Sequence, residues 1–298
     1  MIENFTNYLQ TADPMSAGMI SMLIGIGIFV GFVNTLAGMA TALSYALFMA
    51  MGMPINVANG TTRVGVLAQF AVSSVIFKKS GYLDTKLATK VGIPVAIGSL
   101  LGAQAAAILN PKIMEVAMGI MLPIMAIMLI YTQHSRSKAD AAATANTVAE
   151  DKSISGGSGT SVSDSLINSH SSSSTKSQAF TAAKFIAFMF IGAYGGFTHA
   201  GVGILIIFGS FYLLGLDIIR SNGIKQFAVV IYTPIALTIF ILHGQVNWPV
   251  ALIYAIGNIT GAVIASKYAV KWGAKAVNYI IAIAVFAMSF WLIYKNAI

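Results

Sequence analysis

Residues 31–63, GFVNTLAGMATALSYALFMAMGMPINVANGTTR, are answered 163 positions later by residues 194–226, YGGFTHAGVGILIIFGSFYLLGLDIIRSNGIKQ. The register holds without a gap from 31–131 over 194–294. Gly38, Gly52, Gly81 and Gly98 fall on Gly201, Gly215, Gly244 and Gly261, and Asn59-Gly60 falls on Asn222-Gly223. Ala37/Ala200, Phe77/Phe240, Ile93/Ile256, Lys112/Lys275 and Tyr131/Tyr294 keep the same offset. A duplicated apolar unit with glycines at fixed places is the pattern of secondary transporters, whose related halves build one site at their interface.

Composition places that unit in a bilayer. The 298 residues are 57% hydrophobic and 9% charged, with a mean hydropathy of +0.81, so polar surface is too scarce to cover a soluble globule. The net charge of +8 could suggest nucleic acid, but the basic residues sit in short loops between apolar runs, where they orient a membrane protein; no nucleic-acid partner is expected. The chain has no cysteine and four scattered histidines, which leaves no thiolate chemistry, no plausible metal cluster and no cofactor to expect. The first 16 residues carry Glu3 and Asp13 and no Lys or Arg, unlike the basic start of a cleavable signal.

Each half opens on a long apolar tract, 16–51 and 180–214, followed by three spans. These are 56–77, 84–108 and 112–132 in the first half, and 219–241, 248–265 and 276–294 in the second. A helical crossing needs about 20 residues, so each tract is too long for one crossing and short for two. Breakers lie mid-tract, from Asn34 to Gly38 and from Gly195-Gly196 to Gly203, and each tract reads as a hairpin of two short helices that either cross or re-enter. With the loop 78–90 cytoplasmic, the hairpin reading puts 14 of the 17 basic residues on that side, in line with the positive-inside rule. The fold expected is an all-α polytopic membrane protein of two inverted repeats, 16–132 and 180–295, each a broken hairpin plus three transmembrane helices. Both termini are then extracytoplasmic. The segment 133–179 between them is Ser-rich, buries too little to offset its ordering entropy, and reads as a disordered cytoplasmic linker.

Breaks in helices at bilayer depth are tolerated only where they face protein or a wet cavity. Asn34, Thr35 and Gly38 in the first break, and Thr198, His199, Gly201 and Gly203 in the second, are therefore candidate substrate contacts. A helix starting after each break would aim free N–H groups at an oxyanion. The competing reading of Gly38 and Gly201 is close helix packing. A second constellation opens the next span of each half: Asn59, Gly60, Thr61 and Arg63, and Asn222, Gly223, Lys225 and Gln226. A cation at depth costs about 2.5 kcal/mol or more, so its default reading is functional; the bland alternative is a side chain snorkelling to the headgroups. Glu3, Asp13, Asp84, Glu115, Asp217 and the four carboxylates of the linker lie near segment ends or outside the spans, so no carboxylate proton relay crosses the membrane. Coupling by protons through His199, or by sodium at backbone carbonyls of the breaks, both stay open. No nucleophile, base and third group stand at recognisable spacing, so an enzyme is not expected.

The small-residue break, Ala58-Asn59-Gly60-Thr61 opening the next span, the loop Lys79-Ser80-Gly81-Tyr82-Leu83-Asp84 and a following Gly98-x-x-x-Gly102 helix, repeated in the second half, resemble the TauE/SafE sulfite exporters. The resemblance covers 16–132 and 180–295. It implies export of a small sulfur-containing oxyanion, sulfite first among them, by alternating access in the cell inner membrane. Two departures are the single Gly38 where relatives often carry a glycine run, and the long linker. Import of an organosulfonate such as sulfoacetate, a passive anion channel and a non-transporting membrane scaffold stand as alternatives.

Overall fold

A computed structural model describes residues 8–38, 40–118, 120 and 180–269. The linker and the spans expected at 276–294 and over most of 112–132 lie outside the described residues. The described elements are helices α1 (Ala17–Leu36), α2 (Thr41–Ala50), α3 (Ile55–Lys79), α4 (Thr85–Ile108), α5 (Ala182–Phe197), α6 (Val202–Leu214) and α7 (Ile218–Leu242), followed by α8 (Trp248–Ala269). A further helical turn opens at 111. Five of these helices, α1, α3, α4, α7 and α8, are long and apolar enough to cross a bilayer, so the chain is an all-α polytopic membrane protein.

Local chemistry sets the boundaries. Ser16 caps α1, Asp84 caps α4 and Asp217 caps α7, each side-chain oxygen accepting a backbone N–H of the first turn. The tract 16–51 breaks between Leu36 and Thr41, and the tract 180–214 between Phe197 and Val202. Among the described residues six glycines adopt positive φ: Gly38, Gly52 and Gly81 in the first half and Gly201, Gly215 and Gly244 in the second. They form three pairs at the 163-residue offset, so the turns as well as the helices repeat. Helices α3 and α7 correspond end for end.

Contacts between helices fix their directions. Thr61 on α3 accepts the N–H of Asn247, just before α8, and one turn on, Gly65 lies against Tyr254 and Asn258; α3 and α8 run parallel. Along α1, Gly27 meets Gly257 and Gly31 meets Asn258, so α1 joins the same set. On the other side, Gly98 and Gly102 of α4 abut Met189 and Ala193 of α5. Gly223 abuts Tyr82, and Gly92 abuts Ile231, so α4, α5 and α7 form a second parallel set. The sets oppose one another: the Arg63 guanidinium, early in α3, lies 4.9 Å from the ring centroid of Phe240, late in α7. Small residues permit these backbone-to-backbone contacts, which take the place of a hydrophobic driving force between helices in lipid.

Because α1 runs parallel to α3, the 10-residue α2 between them must return toward the end from which α1 started, and α6 must return likewise between α5 and α7. Each tract is therefore a hairpin. Its first arm is the longer: at 1.5 Å per residue the arms are about 30 and 15 Å for α1 and α2 and about 24 and 20 Å for α5 and α6. Lys78, Lys79, Lys86, Lys90, Lys184, Arg220 and Lys267 gather at one end of the bundle, where α3 and α8 finish and α4, α5 and α7 begin; Lys112 lies at the other.

Candidate functional site

The tips of the two hairpins meet in the interior. A Cβ added to Gly38 would lie 2.6 Å from Gly203 Cα, and one added to Gly203 would lie 2.6 Å from Gly38 Cα. Gly38 holds φ +79°, a conformation glycine reaches without the strain of a side chain, and Gly201 takes the same left-handed conformation as the N-cap of α6. No side chain caps the first turn of α2 or of α6. Their N-terminal N–H groups thus lie at the breaks without a side-chain acceptor, where the helix dipole favours negative charge.

The other helix ends at these breaks are the C-termini of α1 and α5, and each is held by the opposite half. Arg63 Nη2 donates to the carbonyls of Gly195 at 3.2 Å and Gly196 at 2.6 Å, and Asn59 Nδ2 donates to the carbonyl of Phe197 at 2.8 Å. Reciprocally, Lys225 Nζ donates to the carbonyls of Asn34 at 3.1 Å and Thr35 at 2.7 Å, and Gln226 Nε2 donates to Thr35 O at 2.9 Å. A cation at a helix C-terminus is where the dipole wants one. The pairs share a second feature, since Arg63 Nε reaches Asn59 Oδ1 at 3.2 Å and Gln226 Nε2 reaches Asn222 Oδ1 at 3.0 Å. By the repeat offset, however, Arg63 corresponds to Gln226 and Lys225 to Thr62. The two halves reach one architecture with cations displaced by a residue.

Arg63 and Lys225 differ in what they have left to offer. Lys225 Nζ faces two carbonyls and, 5.4 Å away, the ring of Phe70. Arg63 is fully buried, yet its Nη1 has no partner. A guanidinium presents five donors in a rigid fork, and an unpaired buried donor carries a desolvation cost of about 1–3 kcal/mol that a bound acceptor would relieve. Asn34 Oδ1 and Gln226 Oε1 are also buried without partners. Among the described residues no carboxylate is buried, and no cluster of His, Asp or Glu suited to a metal ion forms.

His199 sits in the second break, fully enclosed. Its Nδ1 is 2.6 Å from the Tyr232 hydroxyl, its backbone N–H donates to the Tyr45 hydroxyl at 3.0 Å, and that hydroxyl donates to Asn59 Oδ1 at 3.1 Å. Break and cation are thereby joined in one network. Thr198 supports the turn by accepting the N–H of Ala200 at 3.3 Å, and Thr35 Oγ1 lies 3.5 Å from Ser73 Oγ.

Of the residues singled out by sequence, Asn34, Thr35, Gly38, Asn59, Arg63, Thr198, His199, Gly201, Gly203, Asn222, Lys225 and Gln226 converge on this core. Gly60, Thr61 and Gly223 do not: Gly60 packs on the carbonyl of Gln245, Thr61 holds Asn247, and Gly223 packs on the carbonyl of Tyr82. These three residues seat the short loops that join successive helices. Sequence reasoning passed over Tyr45, Tyr232 and Phe70. Each is aromatic within an apolar helix and carries no charge to mark it, and the paired Tyr hydroxyls emerge only once α2 and α7 are placed beside the break.

A family model described as sulfite exporter TauE/SafE matches residues 23–292. A curated relative from Sinorhizobium sp, described as probable membrane transporter protein ORF9, is 21% identical over 271 residues, covering 91% of each chain. No solved structure matches.

Proposed function

Since the chain belongs to the sulfite exporter TauE/SafE family, we propose that it is a secondary transporter that moves a small sulfur-containing oxyanion, sulfite first among them, out of the cell. The observation that carries the proposal is Arg63 Nη1, a buried cationic donor without a partner. It stands on the guanidinium that holds the end of α5, immediately before the break. An oxyanion accepted there would make a charge-assisted bond and would lie beside the uncapped start of α6.

Alternating access is supported by the hairpins and by the opposed helix sets. Corresponding helices α3 and α7 run antiparallel, as expected of inverted repeats whose exchange of conformation turns an inward-open state into an outward-open one. The repeats are 16–132 and 180–295, with 133–179 as their linker. The cluster of lysines at one end of the bundle supports a cytoplasmic assignment for that end; both termini then face the extracytoplasmic side of the inner membrane.

The experiment is a thermal-shift panel of sulfite, sulfate, sulfoacetate and chloride on the detergent-purified protein, with Arg63→Lys alongside. A ligand bound only to the folded state raises Tm with concentration. Lys at 63 can keep a donor on the α5 carbonyls but cannot present the second fork. Sulfite should stabilise the wild type, and the variant should need about 10- to 100-fold more, the equivalent of a lost charge-assisted hydrogen bond of about 1.5–3 kcal/mol. Equal sulfite response in both proteins would remove Arg63 from the site. No response to any anion would favour a scaffold.

A further inference from the structure

Half-helix C-termini at bilayer depth are cation sites, because their last carbonyls have no intrahelical donor and stand at the negative end of the dipole. Among the described residues the bundle has two such ends in its core, those of α1 and α5, and a covalently tethered cation lies on each. At α1 the enclosure has three sides: the Asn34 carbonyl at 3.1 Å, the Thr35 carbonyl at 2.7 Å and the Phe70 ring at 5.4 Å all face Lys225 Nζ. Gln226 Nε2 takes a further share of the Thr35 oxygen. Lys225 is fully buried, and its ammonium has the unit charge and the carbonyl and aromatic-face partners that suit a small monovalent cation.

We infer that Lys225 Nζ occupies, at the C-terminal end of α1, the place where a dissociable coupling cation would sit, so that transport by this protein has no requirement for sodium. A coupling ion must leave on one side of the membrane and enter on the other. An ammonium carried on α7 cannot do so, and Arg63 leaves the matching end of α5 equally closed to an exchangeable ion. The consequence for coupling rests on the transporter reading above; occupancy of the site does not, and its test uses no substrate.

Thermal unfolding is measured in choline chloride, KCl, NaCl and LiCl at one ionic strength for the wild type, Lys225→Ala and Lys225→Arg. The wild type and Lys225→Arg should unfold at the same temperature in all four salts. Lys225→Ala, which strips the donor from two buried carbonyls, should lose about 4–10 °C in choline and regain part of it in NaCl or LiCl. A sodium-specific rise in wild-type Tm would overturn the inference, because a dissociable site would then exist. So would Lys225→Ala that matches the wild type, or that loses stability with no alkali recovery, or Lys225→Arg that becomes sodium-dependent. Should Lys225→Ala fail to fold in every salt, the other two proteins decide: cation-independent Tm in both supports the assignment, and a sodium response in either ends it.

Discussion

The contact between the hairpin tips can be tested by adding one carbon. In Gly203→Ala the new Cβ would stand 2.6 Å from Gly38 Cα, 3.0 Å from Gly38 O and 3.1 Å from Lys225 Cδ. Ordinary carbon contacts lie at about 3.5–4.0 Å, so the tips must separate by about 1 Å. The nearest atoms belong to backbone and cannot swing aside. Overpacking of this kind costs about 1–3 kcal/mol. Gly38→Ala meets Gly203 Cα at the same 2.6 Å and must also hold φ +79°, which adds about 1–2 kcal/mol for a side chain in the left-handed region. At about 2–4 °C per kcal/mol for a chain of this size, Gly203→Ala should lower Tm by roughly 2–12 °C, and Gly38→Ala by more. The double variant should fall short of the sum, since one Cβ already parts the tips. Tryptophan fluorescence during a thermal ramp reads all three. Gly203→Ala within about 1 °C of the wild type, or additive losses, would refute a direct contact of the breaks.

The two halves should respond unequally to the same change at matched positions. Asn59→Leu removes the donor to Phe197 and the acceptor for both Tyr45 and Arg63, at a cost of about 2–4 kcal/mol; Asn222→Leu removes the acceptor for Gln226, at about 1 kcal/mol, and urea or thermal unfolding should rank them in that order. A disulfide between Thr35→Cys and Ser73→Cys, whose native oxygens lie 3.5 Å apart, forms in a chain that has no cysteine of its own. Its oxidation should stop sulfite flux in proteoliposomes and a reductant should restore it, whereas flux that survives oxidation would favour a passive channel.

Much of the scaffold was legible because the repeat writes it twice. A tract too long for one crossing with a glycine break inside it reads as a hairpin from length alone, and α1–α2 and α5–α6 are hairpins broken where the glycines lie. The positive φ of Gly52 and Gly215 likewise follows from a glycine kept at a turn in both halves. The site was legible only as a set of residue types. A cation at depth announces itself by its cost, but whether it faces a ligand or a carbonyl depends on which helix end comes to it from the other half. Nothing local to Lys225 says that Asn34 and Thr35 will stand above it, 191 and 190 residues away in the chain. The role of Gly60 and Gly223 was hidden for the same reason, since their neighbours Gln245 and Tyr82 belong to the opposite repeats.

That exchange of partners bears on how the bundle could move. The last carbonyls of each hairpin's first arm are held from the other half, those of α5 by Arg63 and Asn59 on α3 and those of α1 by Lys225 and Gln226 on α7, while Thr35, Tyr45 and His199 tie the breaks to Ser73, Asn59 and Tyr232 of their own halves. A hairpin that shifts along its neighbours must therefore break bonds to the other repeat, and those from Arg63 and Lys225 are charge-assisted and buried, which makes them costly to leave unmade. The cost falls if something else satisfies the cation. An oxyanion on Arg63 would draw the guanidinium charge toward itself and weaken its hold on the Gly195 and Gly196 carbonyls, so binding and release of the α5 hairpin would be linked through one side chain. Lys225, already bonded to two carbonyls and facing Phe70, would stay on the end of α1 while the anion engages Arg63. On this arrangement an anion would act on the α5 hairpin through Arg63, and the displacement of the two cations by one residue in the repeat would make the two halves respond to it unequally.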